Sequence, residues 1–198
     1  MLLLKSLKLQ NFLSHESTEI NFEPDSKILL EGPSGTGKSS VVDGIIWALY
    51  GVGRSPNRDL VRKGCNRATV ILGVYEGDKN YAITRSVSST GKHSLEVAQD
   101  GIALSGTEGL RGYQNWIETT LIGASYLLFI NSVAYLQGRG ESFVSQTATK
   151  RKDLLLELVK ADDFDVYYER AREGVGNFDV EIRGIKAEME TIGPWLNE

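Results

Sequence analysis

The sequence predicts a mixed α/β fold with a phosphate-binding loop, an antiparallel β layer and an emerging C-terminal coiled-coil helix. Three observations indicate this class: a glycine-rich loop between an apolar run and a helical pattern, alternating apolar runs joined by short turns, and heptad spacing near the end of the chain. With 198 residues, the chain is long enough for one sizeable core and an appendage.

The composition excludes several classes of protein. A hydrophobic content of 41% and a charged content of 24% exclude a disordered or collagen-like chain. No apolar run approaches the roughly 18 residues of a membrane span, and the apolar start at residues 1–4 is too short for a signal peptide. Cys65 is the single cysteine, which predicts a reducing, cytoplasmic compartment. His15 and His93 lack ligand-like neighbours in sequence, so no zinc-type site is expected.

Two strands are predicted before the glycine-rich loop. Residues 4–12 alternate around Leu7 and Leu9, and Ile20 and Phe22 alternate again after a polar turn. The core is therefore expected to begin near the N-terminus.

The segment Gly32-Pro33-Ser34-Gly35-Thr36-Gly37-Lys38-Ser39 fits the phosphate-loop pattern G-x-x-x-x-G-K-[ST]. We expect an apolar strand at Ile28–Leu30 before it and a helix from about Ser39 to Tyr50 after it. The helix is expected to be apolar on one face, at Val41, Val42, Ile45, Ile46 and Leu49. This strand-to-helix context disfavours a chance glycine-rich turn.

Each part of this motif has a chemical reason. The glycines let the backbone turn so tightly that successive N–H groups face the α- and β-phosphates, aided by the positive end of the helix dipole. Lys38 is predicted to neutralise the β- and γ-phosphates, and the Ser39 hydroxyl is predicted to ligate Mg²⁺. The loop therefore predicts a nucleotide-phosphate site.

A basic stretch follows the helix, in a connection from Gly51 to Gly64 that is rich in Gly, Pro and Arg. Its basic residues are Arg54, Arg58, Arg62, Lys63 and Arg67, against the single acid Asp59. Because the net charge is −4, any nucleic-acid contact must come from a local patch of this kind, and Arg58, Arg62 and Lys63 are its candidates. A solvated loop is the alternative.

An antiparallel meander is predicted next. Its runs alternate at Val70, Leu72 and Val74, then at Tyr81, Ile83 and Arg85, and continue through Leu95–Ala98 and Ile102–Leu104. Asp100-Gly101 suits a tight primed turn between the last two runs. A helix is expected over Leu110, Tyr113, Ile117 and Leu121, closed by Gly123.

A long helical region is predicted from about Thr149. It carries apolar residues at alternating steps of four and three: Phe164, Tyr168, Ala171, Val175, Phe178, Ile182, Ile185, Met189, Ile192 and Leu196. This spacing predicts a coiled coil. Gly174, Gly176 and Gly184 weaken it by roughly 1 kcal/mol each, and an amphipathic helix packed on its own domain is the alternative.

With these features, the chain resembles the N-terminal part of the SbcC family of DNA double-strand-break repair ATPases, in the SMC-like branch of the ABC ATPases. The resemblance rests on the Leu7–Phe12 strand followed by Ser14-His15, on GPSGTGKSS running into VVDGIIWALYG, and on SVAYLQGRGESFVSQTATKRKDLLLELVKADDFD. It covers nearly the whole chain.

The resemblance implies an ABC-type ATPase head lobe over residues 1–163 and the start of a coiled-coil arm over residues 164–198. It implies ATP and Mg²⁺ as cofactors, and it adds Ser40 to the phosphate-loop residues. Gln137 matches the Q-loop glutamine, which contacts Mg²⁺ and the attacking water and follows an apolar strand ending in Gln137-Gly138.

The implied partners are the C-terminal half of the same ATPase, a second head in a homodimer, an SbcD-type nuclease and double-stranded DNA ends. The implied location is the DNA-associated cytoplasm, away from membranes. Many relatives carry Asn where this chain has Ser34, and several carry Arg where it has Leu13.

The motifs that complete such a site are absent from this sequence. No run of four apolar residues ends in Asp-Glu, and Leu104-Ser105-Gly106 precedes Gln137, which is the wrong position for the family signature. We therefore expect ATP hydrolysis to ADP and phosphate only at a composite dimer site, and better binding than hydrolysis by this chain alone. The alternatives are another SMC- or RecF-like ATPase, a phosphate-loop kinase for small molecules, and a non-hydrolysing nucleotide-gated interaction module.

Overall fold

The computed structural model describes residues 2–24, 26–104, 109–134, 143–159 and 162–192. The chain divides into two compact units, residues 1–126 and residues 127–198. The first unit holds the sheet and the phosphate loop, and the second is helical in its described parts. No helix in the described part of the chain is both long and apolar enough to span a membrane.

A six-stranded antiparallel sheet forms the frame of the first unit, with strand order β2-β1-β3-β4-β5-β6. Its strands are β1 Leu2–Phe12, β2 His15–Asn21, β3 Arg67–Glu76, β4 Lys79–Ser88, β5 His93–Gln99 and β6 Ile102–Ala103. The two early strands and the meander are therefore confirmed. Alternating strand residues such as Leu7, Leu9, Val70, Leu72 and Ile83 are fully buried, because one face of the sheet carries the core.

The turn at Asp100-Gly101 has the predicted primed geometry. Both residues have positive φ angles, 50° at Asp100 and 84° at Gly101, which matches the twist of the flanking strands. Asn80 donates to Asp100 Oδ1 through its backbone N–H at 3.1 Å and through its side-chain amide at 3.3 Å. The bond from the Asn80 backbone N–H is the main cause that lowers the pKa of Asp100.

Helix α1, Lys38–Tyr50, follows the phosphate loop and is buried on more than the single predicted face. On the side of α1 that faces the sheet, Gly44 lies so close to β1 that an added Cβ would be 2.7 Å from Leu9 Cδ2. On the same side, the ring centroids of Phe12 from β1 and Trp47 from α1 are 5.5 Å apart. A second element covers another side, where Gln114 donates to the Leu49 carbonyl at 3.0 Å. The one-face prediction was wrong because apolar spacing does not reveal a second covering element.

The strand predicted at Ile28–Leu30 is absent from the structure, where this segment is irregular. The three side chains are exposed, Leu29 by 78%. A strand needs a neighbouring backbone that pairs with its N–H and C=O groups, and none of the six strands in the described sheet pairs with this segment. The apolar run is β-prone, but the described residues supply no partner for it.

The helix predicted to end at Gly123 is confirmed with one difference. Helix α2, Gly109–Trp116, continues as a π-helical segment, Ile117–Ile122, and Gly123 closes it in the left-handed region with its N–H on the Glu118 carbonyl. Within this region Ile117 and Leu121 are buried. The predicted apolar spacing thus places the two residues that reach the core.

The second unit contains helices α3 Tyr126–Ser132, which begins at the last residue of the first unit, α4 Ala148–Leu158 and α5 Asp162–Ile192. Thr147 is the N-cap of α4, and its hydroxyl accepts the Lys150 backbone N–H at 3.4 Å, so the helical start predicted near Thr149 is confirmed. Residues 126–132 form α3, and residues 135–137, where the strand implied before Gln137 ends, lie outside the described residues, so that strand stays a prediction. Gln137 itself lies outside the described residues.

Candidate nucleotide-binding site

The phosphate loop joins the exposed segment 28–30 to the N-terminus of α1. Gly35 has φ 85° and Gly37 has φ 97°, values in the left-handed region that a side chain would strain. Gly37 is the N-cap, and its carbonyl accepts the Ser40 N–H at 2.8 Å and the Val41 N–H at 3.3 Å. The first N–H groups of α1 have no intrahelical partner and carry the positive end of the helix dipole, so this end suits an anion.

Lys38 lies across the loop. Its Nζ donates to the Gly32 carbonyl and to the Pro33 carbonyl, each at 2.7 Å, and the Thr36 hydroxyl donates to the Pro33 carbonyl at 2.9 Å. The loop carbonyls therefore hold the ammonium beside the α1 N-terminus. A phosphate oxygen is a stronger partner for this ammonium than a neutral carbonyl, because the bond is then charged on both sides.

The two serines that follow Lys38 differ in access. Ser39 is exposed at the first turn of α1, whereas Ser40 is buried. An exposed hydroxyl beside a phosphate cradle fits the usual Mg²⁺ arrangement of few protein ligands, substrate phosphates and water. Within the described ranges, no cluster of three or more His, Cys, Asp or Glu residues offers another metal site. Ser39 is thus the side chain of this loop that would hold Mg²⁺.

The turn between β1 and β2 packs directly against the loop, which no local sequence pattern predicts. An added Cβ on Gly37 would lie 2.4 Å from Ser14 Oγ and 2.7 Å from His15 Nε2. His15 Nε2 is 3.1 Å from the Gly37 carbonyl oxygen, and His15 Nδ1 is 2.8 Å from Thr18 Oγ1. Gly37 is 22 positions from His15 in sequence, so local spacing carries no signal of their proximity.

A buried polar network secures the other end of α1. Arg85 Nε donates to the Ala48 carbonyl at 3.2 Å, and Arg85 Nη2 donates to Gln114 Oε1 at 2.5 Å. Gln114 also donates to the Leu49 carbonyl at 3.0 Å and to Glu118 Oε1 at 2.7 Å. Burial lowers the pKa of Arg85 to about 10, against the opposing effect of Glu118. Arg85 remains protonated at neutral pH and supports the last carbonyls of the helix.

The basic stretch is partly neutralised by acids in the same unit. Arg62 Nη1 is 2.9 Å from Glu16 Oε2, and Arg58 Nε is 3.6 Å from Asp59 Oδ1. Lys63 has no acidic partner within 4 Å among the described residues. Of the three candidate DNA-binding residues, Lys63 is thus the one whose charge no acid in the described part of the chain already pairs.

Comparisons with known proteins identify similar sequences. The AAA domain family (AAA_23) matches residues 6–181. The DNA double-strand break repair Rad50 ATPase of Thermoplasma acidophilum is 30% identical over 93% of this chain and 21% of the relative. The protein of the same name from Methanocaldococcus jannaschii is 26% identical over 95% of this chain and 18% of the relative. The chain thus spans about a fifth of the length of these curated relatives.

Among solved structures, the SMC head domain from Thermotoga maritima is similar with a TM-score of 0.39 and 23% identity. That likeness covers 51% of this chain and 38% of the solved chain.

Proposed function

This chain belongs to the AAA domain family AAA_23, and from that premise we propose that it is the ATP-binding N-terminal segment of an SbcC/Rad50-like DNA repair ATPase. The observation that carries the proposal is Lys38, held by two loop carbonyls beside the N-terminus of α1. The Rad50 ATPases that are 26–30% identical to it support the same class. The direct test is an ATP titration of the 198-residue chain, and absence of saturable binding would contradict the proposal.

The loop residues have distinct roles in this proposal. Backbone N–H groups of residues 35–39 bind phosphate oxygens, Lys38 neutralises charge on the β- and γ-phosphates, and Ser39 would hold Mg²⁺. When bound, Mg²⁺ withdraws charge from the oxygens that bridge and flank the γ-phosphorus. In hydrolysis, a water oxygen bonds to the γ-phosphorus and the bond from that phosphorus to the β–γ bridging oxygen breaks. ADP leaves with the electron pair of that bond, and the proton that the water loses passes to the phosphate product or to solvent.

We assign the remaining catalytic groups to Gln137 and to a further part of the protein. A neutral amide can face a metal and orient water without adding charge, which is the role proposed for Gln137. The metal-holding acid would come from the C-terminal half, consistent with the coverage of about a fifth of the relatives. Two such heads would enclose two ATP molecules and work with an SbcD-type nuclease on DNA ends inside the cell.

Gln137→Ala tests this division of roles. If Gln137 acts at the metal and the water, the variant should bind ATP within a few-fold of the wild type yet release phosphate much more slowly in the head completed by the C-terminal half. Nucleotide titration and a phosphate-release assay measure the two effects separately. Parallel loss of binding and turnover would indicate a structural role for Gln137.

Reversing the charge of Arg58, Arg62 and Lys63 to Glu is expected to weaken DNA binding by the assembled head. Each phosphate interaction that the substitutions remove lowers the log–log salt slope by roughly 0.9. Two of the three positive charges already face acids, so they are less available to contact phosphates. We therefore expect the change in slope to be closer to the value for one lost phosphate contact than to the value for three. Filter binding or anisotropy over a salt series measures the slope.

The matched control replaces Lys8, Lys79 and Arg111 by Glu. It changes the net charge by the same amount as the first variant, but at other positions of the first unit. An unaltered slope in the first variant, or an equal change in both, would favour the alternative, in which residues 58, 62 and 63 belong to a solvated loop.

The proposal extends to α5 as the start of a coiled-coil arm. Its described seam is solvent-exposed along its length: Tyr168, Val175, Phe178, Ile182, Ile185 and Met189 are each at least 48% exposed. Leaving a large apolar side chain in water instead of burying it costs roughly 1.5 to 3 kcal/mol, so the helix should need a partner helix. We expect rapid hydrogen exchange at residues 175–192 in the dilute monomer and protection once an antiparallel partner is present.

Mass spectrometry of exchanged peptides measures this, with β3 as the protected reference within the same molecule. Strong protection of residues 175–192 in the monomer would instead favour the amphipathic helix that packs on its own domain.

A further inference from the structure

We propose that His15 is a positioning residue of the nucleotide site, which fixes the peptide group between Gly37 and Lys38 so that the Lys38 N–H faces the bound phosphates. The inference rests on the proposed function of the loop. It assigns a role to a side chain outside the phosphate-loop motif, in the turn between β1 and β2.

The hydrogen bonds of His15 define which ring nitrogen carries the proton. The Gly37 carbonyl oxygen can only accept, so Nε2 donates to it across 3.1 Å. In the neutral ring, Nδ1 then accepts from the Thr18 hydroxyl at 2.8 Å. The half-buried ring is therefore held at both nitrogens, with Thr18 setting its orientation and Gly37 receiving its hydrogen bond.

The hydrogen bond to the Gly37 carbonyl also sets the direction of the Lys38 N–H, because both groups belong to one planar peptide unit. In a trans peptide the carbonyl and the N–H of one unit point in opposite directions, and no peptide bond in the described chain is cis. Holding the Gly37 oxygen toward His15 therefore directs the Lys38 N–H away from the β1–β2 turn. Lys38 is the first residue of α1, so this N–H has no intrahelical partner.

The orientation of the peptide group between Gly37 and Lys38 needs a restraint because glycine has more backbone freedom than other residues. Glycine at φ 97° can rotate between several regions at low cost. A rotated peptide would present the Gly37 carbonyl oxygen, instead of the Lys38 N–H, to an anion. The helix N–H groups of Ser40 and Val41 also restrain this oxygen, so His15 adds a third donor and its removal should weaken binding without abolishing it.

The turn that carries His15 is itself firmly anchored. Leu13 and Asn11 have positive φ angles of 52° and 48°, an uncommon conformation for residues other than glycine. The Leu13 N–H donates to the Leu60 carbonyl at 2.8 Å, and the Arg62 N–H donates to the Asn11 carbonyl at 2.8 Å. These bonds hold the turn in a conformation that local sequence disfavours, and they bring His15 to the loop.

Three variants of the 198-residue chain test the proposal by ATP titration calorimetry. In H15Q the amide nitrogen takes the place of Nε2 and can still donate to the Gly37 carbonyl. In H15N the amide takes the place of Nδ1, so it cannot reach the Gly37 carbonyl. H15A removes the bond to Gly37 and the bond to Thr18. Because H15N and H15A both lose the hydrogen bond to the Gly37 carbonyl, we expect each to raise the Kd for ATP about five- to tenfold, and H15Q to stay within about twofold of the wild type.

Thermal unfolding without nucleotide monitors folding of each variant. A purely structural role would affect H15Q and H15N alike, since both place an amide in the same half-buried site. If H15A fails to fold, the comparison of H15Q with H15N still decides the question.

The possible outcomes separate this inference from the proposed function. Equal Kd values for all variants and wild type, or H15Q as weak as H15A, would overturn the role of His15 while leaving the loop as an ATP site. A wild-type chain that binds no ATP would overturn the proposed function and this inference with it.

Discussion

Replacing Lys38 by alanine is expected to abolish measurable ATP binding by the 198-residue chain. Lys38 is the single basic residue between Glu31 and Ser40, and its Nζ lies 2.7 Å from two loop carbonyl oxygens. Without the ammonium, the Gly32 and Pro33 carbonyls would face the phosphates uncompensated. Hydrogen bonds to charged groups contribute about 1.5–3 kcal/mol each, so losing the proposed bonds to the β- and γ-phosphates predicts a Kd at least roughly hundredfold weaker, which titration calorimetry measures.

Lys27→Ala is the matched control, because it removes the same charge from an exposed position close in sequence. We expect its Kd to stay within about twofold of the wild type, since screened surface charges contribute little. Unchanged affinity in the Lys38 variant would refute the assignment of the loop as a nucleotide site. An equal loss in both variants would indicate general electrostatic attraction instead of a specific interaction.

The features that the sequence predicted correctly are those fixed by local chemistry. Period-two alternation predicts β1 to β5, the Asp100-Gly101 pair predicts a primed turn, and the glycines of the phosphate loop adopt the left-handed angles that their position demands. Each depends on neighbours within a few residues.

The failures share a different physical cause, since each depended on distant residues. The apolar run at 28–30 needs a strand partner that the described sheet does not provide, and the burial of α1 on several sides depends on α2 as well as on the sheet. From the sequence, we expect only that His15 has no role in a metal site and that Arg85 lies in a strand. Their structural roles follow from interactions with residues 22 and 37 positions away, which periodicity cannot report.

Replacing Arg85 by alanine is expected to lower the free energy of unfolding by about 3–5 kcal/mol, because it leaves two buried acceptors unpaired and opens a cavity. The side chain is 1% exposed and joins β4 to the C-terminal carbonyls of α1 and to Gln114. Its removal leaves the Ala48 carbonyl and Gln114 Oε1 short of a donor and opens a cavity beside Trp47. Urea denaturation without nucleotide measures the change.

Arg85→Met separates the loss caused by unpaired polar groups from the loss caused by the cavity. It restores most of the volume but leaves the Ala48 carbonyl and Gln114 Oε1 without their donor. If the unpaired acceptors cause the loss, Arg85→Met should be nearly as unstable as Arg85→Ala, whereas if the cavity causes it, Arg85→Met should recover most of the stability. Arg67→Met, on an exposed position of β3, should change stability by less than about 0.5 kcal/mol.

The pH dependence gives an independent check on the charge of Arg85. Burial lowers its pKa to about 10 in the folded chain, so the folded and unfolded states bind the same proton near neutral pH. The difference between wild type and Arg85→Met should therefore be constant from about pH 6 to pH 8. Above about pH 10 the folded state releases this proton before the unfolded state does, so the desolvation penalty of wild-type Arg85 decreases as pH rises. A stability difference that varies strongly near neutral pH would contradict a constant charge on Arg85 in this range.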